Sequence, residues 1–298
     1  GVGQIVSATT AVAYASNLLG GSVIARAAAS ATTSAAVAEK ANAYASGIHQ
    51  ELDGQQADAY VINDGIIDVA SHAYATSPAA GAAGTAIAYG ARQFARGETA
   101  SASIENGGSV LVYATATSVG DLLTSSRARG TGLKQDTVST DLGTASVDNV
   151  GSVHVHALAK ARAASTSGAT ANVVAAGIRL DVVSDNVGNA IVTNSSDVLA
   201  DVTAQASNDN DNHALAFASA AGIVQFVGSD NDIQRGLASI ENTGDVLATA
   251  DAEATATASA YATAYAYGAY QYVKAEMATV DLYNTGSITA TASSVSTI

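Results

Sequence analysis

The sequence predicts an all-β protein: one continuous parallel β-solenoid of about seven stacked rungs, with about 43 residues in each repeat. Three observations support this prediction. Two glycine-centred motifs recur in step along the chain, the segments between them alternate small apolar and variable residues, and Pro78 alone removes a backbone hydrogen-bond donor. Because Ala and Val dominate the apolar residues, we expect a thin core between closely packed sheets.

The first motif is Asn-x-Gly, in which the glycine serves as an anchor position. Successive anchors lie 42 to 48 residues apart, one copy has Ser in place of Gly, and the earliest copy is degenerate. The anchors are Gly21, Gly65, Gly108, Gly151, Ser196, Gly244 and Gly286. They divide a single domain, 1–298, into partial repeats 1–20 and 286–298 and full repeats 21–64, 65–107, 108–150, 151–195, 196–243 and 244–285.

The second motif is Gly-x-x-Gln, and it follows each first anchor by 24 to 26 residues. Its glycines are Gly47, Gly90, Gly132, Gly177, Gly222 and Gly268. Two motifs that keep step through six copies indicate that each repeat is one structural unit.

The residues after each first anchor alternate with a period of two, which is typical of strands. The second residue after the anchor is always Val or Ile, the fourth is Ala or Val, and the residues between them vary. The alternative is a set of Ala-rich helices, and the stretch Ala35–Ser46 is the best candidate for a helix. One wide rung per repeat is favoured, while two short coils per repeat stay open.

The polar residues of the two motifs predict two stacked amide ladders at the corners of the rungs. The expected asparagine ladder comprises Asn63, Asn106, Asn149, Asn194, Asn242 and Asn284. The expected glutamine ladder comprises Gln4, Gln50, Gln93, Gln135, Gln225 and Gln271, with Leu180 as the exception. The glycine after each Asn is expected to adopt a positive φ at a tight turn.

The N-x-G-x-[IV] corners followed by alternating small residues resemble the parallel β-helix repeats of filamentous-haemagglutinin-type and autotransporter adhesins. The resemblance covers nearly the whole chain, although the repeat length and the excess of Ala depart from that pattern. It implies a secreted bacterial surface protein that works in adhesion or in building a matrix, such as that of a biofilm.

The composition argues against several classes of partner. The net charge is −14, and the Lys and Arg residues are scattered singly along the sequence, which disfavours nucleic acids and anionic membranes. The chain has no Cys and therefore no disulfide or thiolate metal site. No apolar run is long enough for a transmembrane helix.

Three groups of residues suggest binding chemistry. His154 and His156 share the outer face of one strand, where surface histidines are favoured over a metal site because no third ligand recurs nearby. Two Asp/Asn-rich loops suggest Ca²⁺ as the one cofactor to consider, with Asp209, Asp211, Asp230 and Asp232 as its candidate ligands. An aromatic stripe could contact glycans or neighbouring filaments; it consists of Tyr261, Tyr265, Tyr267, Tyr270 and Tyr272.

No motif of a catalytic nucleophile, a phosphate loop or a paired-carboxylate site is present, so an enzyme is not expected. A polysaccharide-active β-helix enzyme and an ice-binding solenoid are kept as minor alternatives.

The ends of the sequence suggest a structural role. Gly1-Val2-Gly3-Gln4 matches the second motif, and a new repeat opens at Gly286. We therefore expect a subunit of an extracellular filament that stacks head to tail with itself, so that the two partial repeats complete a shared rung. The expected interface comprises Gly1, Val2, Gln4, Ile5, Gly286, Ile288, Ala290 and Ala292. The alternative is that the sequence is an excerpt of a long secreted adhesin stalk.

Overall fold

The computed structural model describes residues 1–33, 38–164, 168–209, 213–228 and 233–298, which form strands and no helix. Among these residues there is consequently no helix that could cross a membrane. The strands are β1 (Val2–Ser7), β2 (Thr10–Asn17), β3 (Ser22–Thr32), β4 (Glu39–Asp53), β5 (Gln56–Asn63), β6 (Ile66–Ser77), β7 (Ala82–Asn106), β8 (Ser109–Gly120), β9 (Thr124–Asn149), β10 (Ser152–Ala163), β11 (Ala169–Ser184), β12 (Val187–Asn194), β13 (Val198–Asn208), β14 (His213–Val227), β15 (Ile233–Asn242), β16 (Asp245–Thr255), β17 (Ser259–Val273), β18 (Ala275–Asn284) and β19 (Ser287–Thr297).

Each repeat forms one wide rung of a parallel β-solenoid. Val153 in β10 pairs with Val110 on one side and with Val198 on the other, so each strand pairs with its equivalent one repeat away. This register excludes two short coils per repeat. All pairings between the strands are parallel, as stacked rungs require.

The rungs build two sheets. The strands that follow the first anchors form a seven-stranded sheet, in the order β19-β16-β13-β10-β8-β6-β3. The remaining strands form a twelve-stranded sheet, in which β7 and β9 each run the full width and the other rungs divide the same path between two strands.

A rung consists of two lobes joined at the second-motif glycine. Before Gly90, the alternate residues of β7 pack against the seven-stranded sheet. After this glycine, the chain runs outward and then back, and the outgoing and returning segments pack against each other to form the second lobe. In the first rungs the core of this lobe contains Leu52, Ala57, Ala95 and Ala100. The outer surface of the large sheet is therefore concave along the line of the second-motif glycines.

The core consists of Ala and Val columns whose inward side chains are almost fully buried. From Ile67 onward, the Val or Ile two residues after each first anchor packs on a second-motif glycine of the facing sheet. A Cβ added at Gly177 would lie 2.2 Å from Cγ1 of Val198, and one at Gly222 would lie 2.1 Å from Cγ1 of Val246. Glycine is needed here because the two sheets approach too closely for a larger residue.

The expected positive φ at the first anchors is wrong. Among the described residues, Gly20 alone is a glycine with positive φ, at 81°. The anchors are glycines for another reason: a Cβ at Gly151 would lie 1.9 Å from the carbonyl oxygen of Gly108 in the neighbouring rung. The corners stack backbone on backbone, and this leaves no room for a side chain.

The stretch considered for a helix is a strand where it is described. Residues 34–37 lie outside the described residues, and β4 begins at Glu39 with regular alternation of inward and outward side chains. Periodicity therefore outweighs the helical preference of Ala in this stretch.

Candidate functional site

Stacked asparagine amides run through the solenoid at the corner that precedes each first anchor. Each Nδ2 donates to the Oδ1 of the next rung at 2.6–2.7 Å, for instance from Asn106 to Asn149. The ladder contains Asn17, Asn63, Asn106, Asn149, Asn194, Asn242 and Asn284. The structure thus brings together the six predicted residues and adds Asn17, which lies four residues before its anchor glycine rather than two.

Each asparagine of the ladder is the last residue of its strand. Their side chains point inward and are buried except at the last rung. The second N–H of the amide reaches a carbonyl two residues further on, as in Asn194 to Ser196 at 2.8 Å and Asn242 to Gly244 at 2.9 Å. Each amide therefore fixes its own corner as well as its neighbour.

The glutamine amides stack in the opposite direction. Each Nε2 donates to the Oε1 of the preceding rung, at 2.7 Å from Gln50 to Gln4, 2.9 Å from Gln93 to Gln50 and 2.8 Å from Gln135 to Gln93. The same Nε2 also donates to a carbonyl of the returning strand, as in Gln93 to Ser103 at 3.1 Å. These amides tie the two walls of the second lobe together.

Leu180 interrupts the glutamine ladder. It occupies the place between Gln135 and Gln225 and is fully buried, so the buried Oε1 of Gln135 has no hydrogen-bond partner. Gln225 donates instead to Ala190 O at 3.1 Å and Ser239 O at 2.9 Å, and the ladder resumes with Gln271 donating to Gln225 at 2.8 Å.

The predicted interface residues lie at the two ends of the solenoid. In β1, Gln4 pairs in register with Gln50, while Val2 and Ile5 are 44% and 77% exposed. At the other end Ala290 points along an inward column but is exposed, because no rung in the described structure covers it. Also located on these end rungs are Gly1, Gly286, Ile288 and Ala292.

Half-buried charges that the sequence analysis missed line the concave corner of the large sheet. Arg92, Lys134 and Arg179 are register neighbours in three successive rungs. Asp136 receives a bond from Lys134 Nζ at 2.7 Å and lies 3.7 Å from Arg92, and Arg179 Nε donates to Asp181 at 2.8 Å. The signal in the sequence was the basic residue two positions after each of three second-motif glycines.

Burial and charged contacts oppose each other at this corner: burial prevails at Asp136, and the contacts prevail at Arg92 and Arg179. Desolvation raises the pKa of Asp136, against the opposing effect of Lys134. Burial acts to lower the pKa of Arg92, but a hydrogen bond to Tyr44 and the charge of Asp136 outweigh it and raise the value. Burial likewise acts to lower the pKa of Arg179, and the contact with Asp181 raises it overall. Both guanidinium groups therefore stay charged.

The histidine pair lies on the outer face of β10, between Tyr113 and Asp201. His156 Nδ1 is 3.0 Å from Asp201 Oδ2, and its ring is 6.4 Å from that of Tyr113. These residues and His154 border a cavity of about 220 Å³. Within the described ranges, no three His, Asp or Glu side chains converge in a way that could hold a metal ion.

Of the four candidate Ca²⁺ ligands, the structure describes only one. Asp211, Asp230 and Asp232 lie outside the described residues. Asp209 is described, and its carboxylate receives hydrogen bonds from Arg162 at 2.8 and 3.2 Å.

The structure splits the tyrosine stripe at Gly268. Tyr267 and Tyr270 flank the corner with ring centroids 5.6 Å apart and line a cavity of about 230 Å³ that Arg179 also borders. Tyr265 stacks beside Tyr267 at 6.5 Å, and Tyr272 stacks on Phe226 of the preceding rung at 5.0 Å. Tyr261 stands apart from them, 62% exposed.

Comparison with known proteins gave no match to a protein-family model, to a curated protein or to a solved structure.

Proposed function

We propose that this chain is a structural protein that forms a filament outside the cell, in which successive copies stack head to tail and continue the solenoid. The observation that supports this proposal is the directionality of the two amide ladders. The asparagine amides donate toward the C-terminal end and the glutamine amides donate toward the N-terminal end. Head-to-tail stacking preserves both directions, whereas end-inverted stacking sets donor against donor in one ladder and acceptor against acceptor in the other.

The asparagine ladder has a donor at one end and an acceptor at the other. Asn284 accepts from Asn242 and donates to Gly286 O at 3.1 Å, which uses one of its two N–H groups. Asn17 donates to Asn63 and to Ile66 O. In a stacked pair, the second N–H of Asn284 would donate to Oδ1 of Asn17 in the following copy.

The glutamine ladder also has a donor at one end and an acceptor at the other, but its donor, Gln4, lies at the N-terminal end and its acceptor, Gln271, at the C-terminal end. Gln4 accepts from Gln50 and donates to Tyr14 O at 3.0 Å, which uses one of its two N–H groups. Gln271 donates to Gln225 and to Asp281 O at 3.1 Å. In the same stacked pair, Gln4 of the following copy would donate to Oε1 of Gln271.

The strand edges fit the same arrangement. At the junction, β1, β2 and β3 of one copy would pair with β17, β18 and β19 of the copy before it, in the register that the internal rungs use. Main-chain hydrogen bonds and the covering of Ala290 and Ala292 would supply the affinity.

The test uses the purified chain of residues 1–298, examined by electron microscopy and sedimentation over a range of concentrations. We expect unbranched fibres whose mean length increases with concentration. Ala292→Lys places a charge on an inward column that only stacking would bury, so it should abolish the fibres. Thr291→Lys, the next residue on the outward face of the same strand, is the matched control and should leave them intact.

Circular dichroism shows whether both variants keep their strand content. Monodisperse monomers of the unsubstituted chain at all concentrations would overturn the proposal, as would fibres that respond equally to both lysine substitutions.

A further inference from the structure

Basic side chains gather on one face of the solenoid, although they are scattered in the sequence. Six of the 12 Lys and Arg residues occupy outward positions in residues 82–97, 124–138 and 169–182 of β7, β9 and β11, which form the two walls of the concave corner and contain only two acidic residues, Asp136 and Asp181. The six basic residues are Arg92, Arg96, Arg127, Arg129, Lys134 and Arg179. In a chain of net charge −14, this face has the opposite sign to the molecule as a whole.

The corner forms a groove parallel to the solenoid axis. Tyr89 and Lys134 point outward and are nevertheless only 6% and 8% exposed, because the walls on either side of the second-motif glycines face each other. The groove continues into the cavity of about 230 Å³ beside Arg179, Tyr267 and Tyr270. It thus has tyrosines toward both ends and cations between them.

The charges of the groove are only partly neutralised. Asp136 and Asp181 pair with Lys134, Arg92 and Arg179. Of the described residues, no acidic side chain forms an ion pair with Arg96, Arg127 or Arg129. In addition, Nε of Arg92 is buried without a hydrogen-bond partner.

We propose that this groove binds a linear acidic polysaccharide, with the sugar chain lying along the solenoid axis. Cations recur on successive rungs about 4.8 Å apart, so a polymer with a carboxylate on each sugar can meet them repeatedly. The tyrosine rings offer faces for the C–H surfaces of sugars, and the two carboxylates can accept sugar hydroxyl groups. The same carboxylates disfavour the denser charge of a nucleic acid. This binding goes beyond the filament role and does not require it.

The test measures the affinity of the folded chain for oligogalacturonate by isothermal titration calorimetry at low and high salt. Binding should weaken as salt rises, and the fully methyl-esterified oligomer should not bind. The double variant Arg127→Ala/Arg129→Ala should lose about ten-fold or more in affinity. Its matched control, Lys160→Ala/Arg162→Ala, removes two charges from the other sheet and should change the affinity less than about two-fold.

Three results would overturn the proposal: no binding of oligogalacturonate, equal losses in the two double variants, or tighter binding of a single-stranded oligonucleotide of equal charge. Circular dichroism of each variant separates lost binding from lost structure.

Discussion

Each rung of this solenoid has two glycine-and-amide corners that achieve stacking by different means. At the asparagine corner, backbone lies directly on backbone: a Cβ at Gly108 would come within 1.9 Å of the carbonyl oxygen of Gly65. At the glutamine corner, a side chain of the facing sheet is an additional obstacle: a Cβ at Gly222 would lie 2.6 Å from the carbonyl oxygen of Gly268 but only 2.1 Å from Cγ1 of Val246. At Gly268, which has no described rung beyond it, the Cβ would meet only Ile288 within 3 Å, with Cγ2 at 2.2 Å. Both corners bring the backbones of successive rungs into close contact, and the second also sets the distance between the sheets.

The amides differ in the same way. The asparagine ladder is unbroken from Asn17 to Asn284, whereas the glutamine ladder tolerates Leu180. A leucine can replace the glutamine because that side chain projects into a lobe lined by apolar residues. An asparagine also holds the corner carbonyl of its own rung, so its replacement would release the turn as well as the stack.

The largest effect that separates the two corners is expected from alanine at the glycines. Gly108→Ala should lower the free energy of unfolding by about 3 kcal/mol or more, because only backbone atoms can move aside. Gly268→Ala should cost about 1–2 kcal/mol and almost nothing in an Ile288→Ala background, where the obstructing methyl is gone. Urea unfolding followed by circular dichroism measures both. Equal losses at the two glycines, or no coupling to Ile288, would contradict this difference.

The next effect tests the asparagine ladder itself. Asn149→Leu leaves Nδ2 of Asn106 without its acceptor and Oδ1 of Asn194 without its donor. Because both atoms are buried, the variant should lose about 3 kcal/mol in the free energy of unfolding. The matched control is Asn189→Leu on the outward face of β12, which should cost less than about 0.5 kcal/mol. Similar urea midpoints for the two variants would show that the ladder adds little to stability.

Much of this architecture was predictable because it repeats. Columns such as Val110, Val153 and Val198 recur at nearly equal spacings, 43 and 45 residues, and stacked rungs bury them all. Features that occur once left no such trace. Asn17 joins its ladder across a corner two residues longer than the others. Arg92, Lys134 and Arg179 do recur two positions after their glycines and meet by stacking, but their burial follows from the fold-back of the sheet at those glycines, which the sequence pattern does not show. The reason for glycine at the first anchors was also missed, since close backbone approach and positive φ select the same residue.

A smaller effect is expected from the corresponding change in the glutamine ladder. Gln135→Leu deprives Gln93 Oε1 and Ser146 O of a donor, but it also removes the unpaired Oε1 of Gln135. The two contributions partly cancel, so the variant should lose about 1 kcal/mol. The same urea titration checks it, and a loss as large as that of Asn149→Leu would remove the distinction between the ladders.

The smallest expected effect, that of Leu180→Gln, is also the most specific test, because its sign depends on the residue at position 135. Leu180→Gln supplies a donor for Gln135 Oε1 and an acceptor for Gln225, at the expense of a buried leucine side chain. Pairing a buried carbonyl is worth about 1–3 kcal/mol and the lost apolar burial about 1–2 kcal/mol, so the variant should be more stable by up to about 1 kcal/mol. In a Gln135→Leu background the acceptor is absent, and the same substitution should destabilise the chain instead. Leu180→Ala provides the reference for lost packing alone, at a cost of about 2–4 kcal/mol in either background. If Leu180→Gln shifts the urea midpoint equally with and without Gln135, the gap in the ladder has no energetic consequence, and tolerance of Leu180 reflects packing rather than hydrogen bonding.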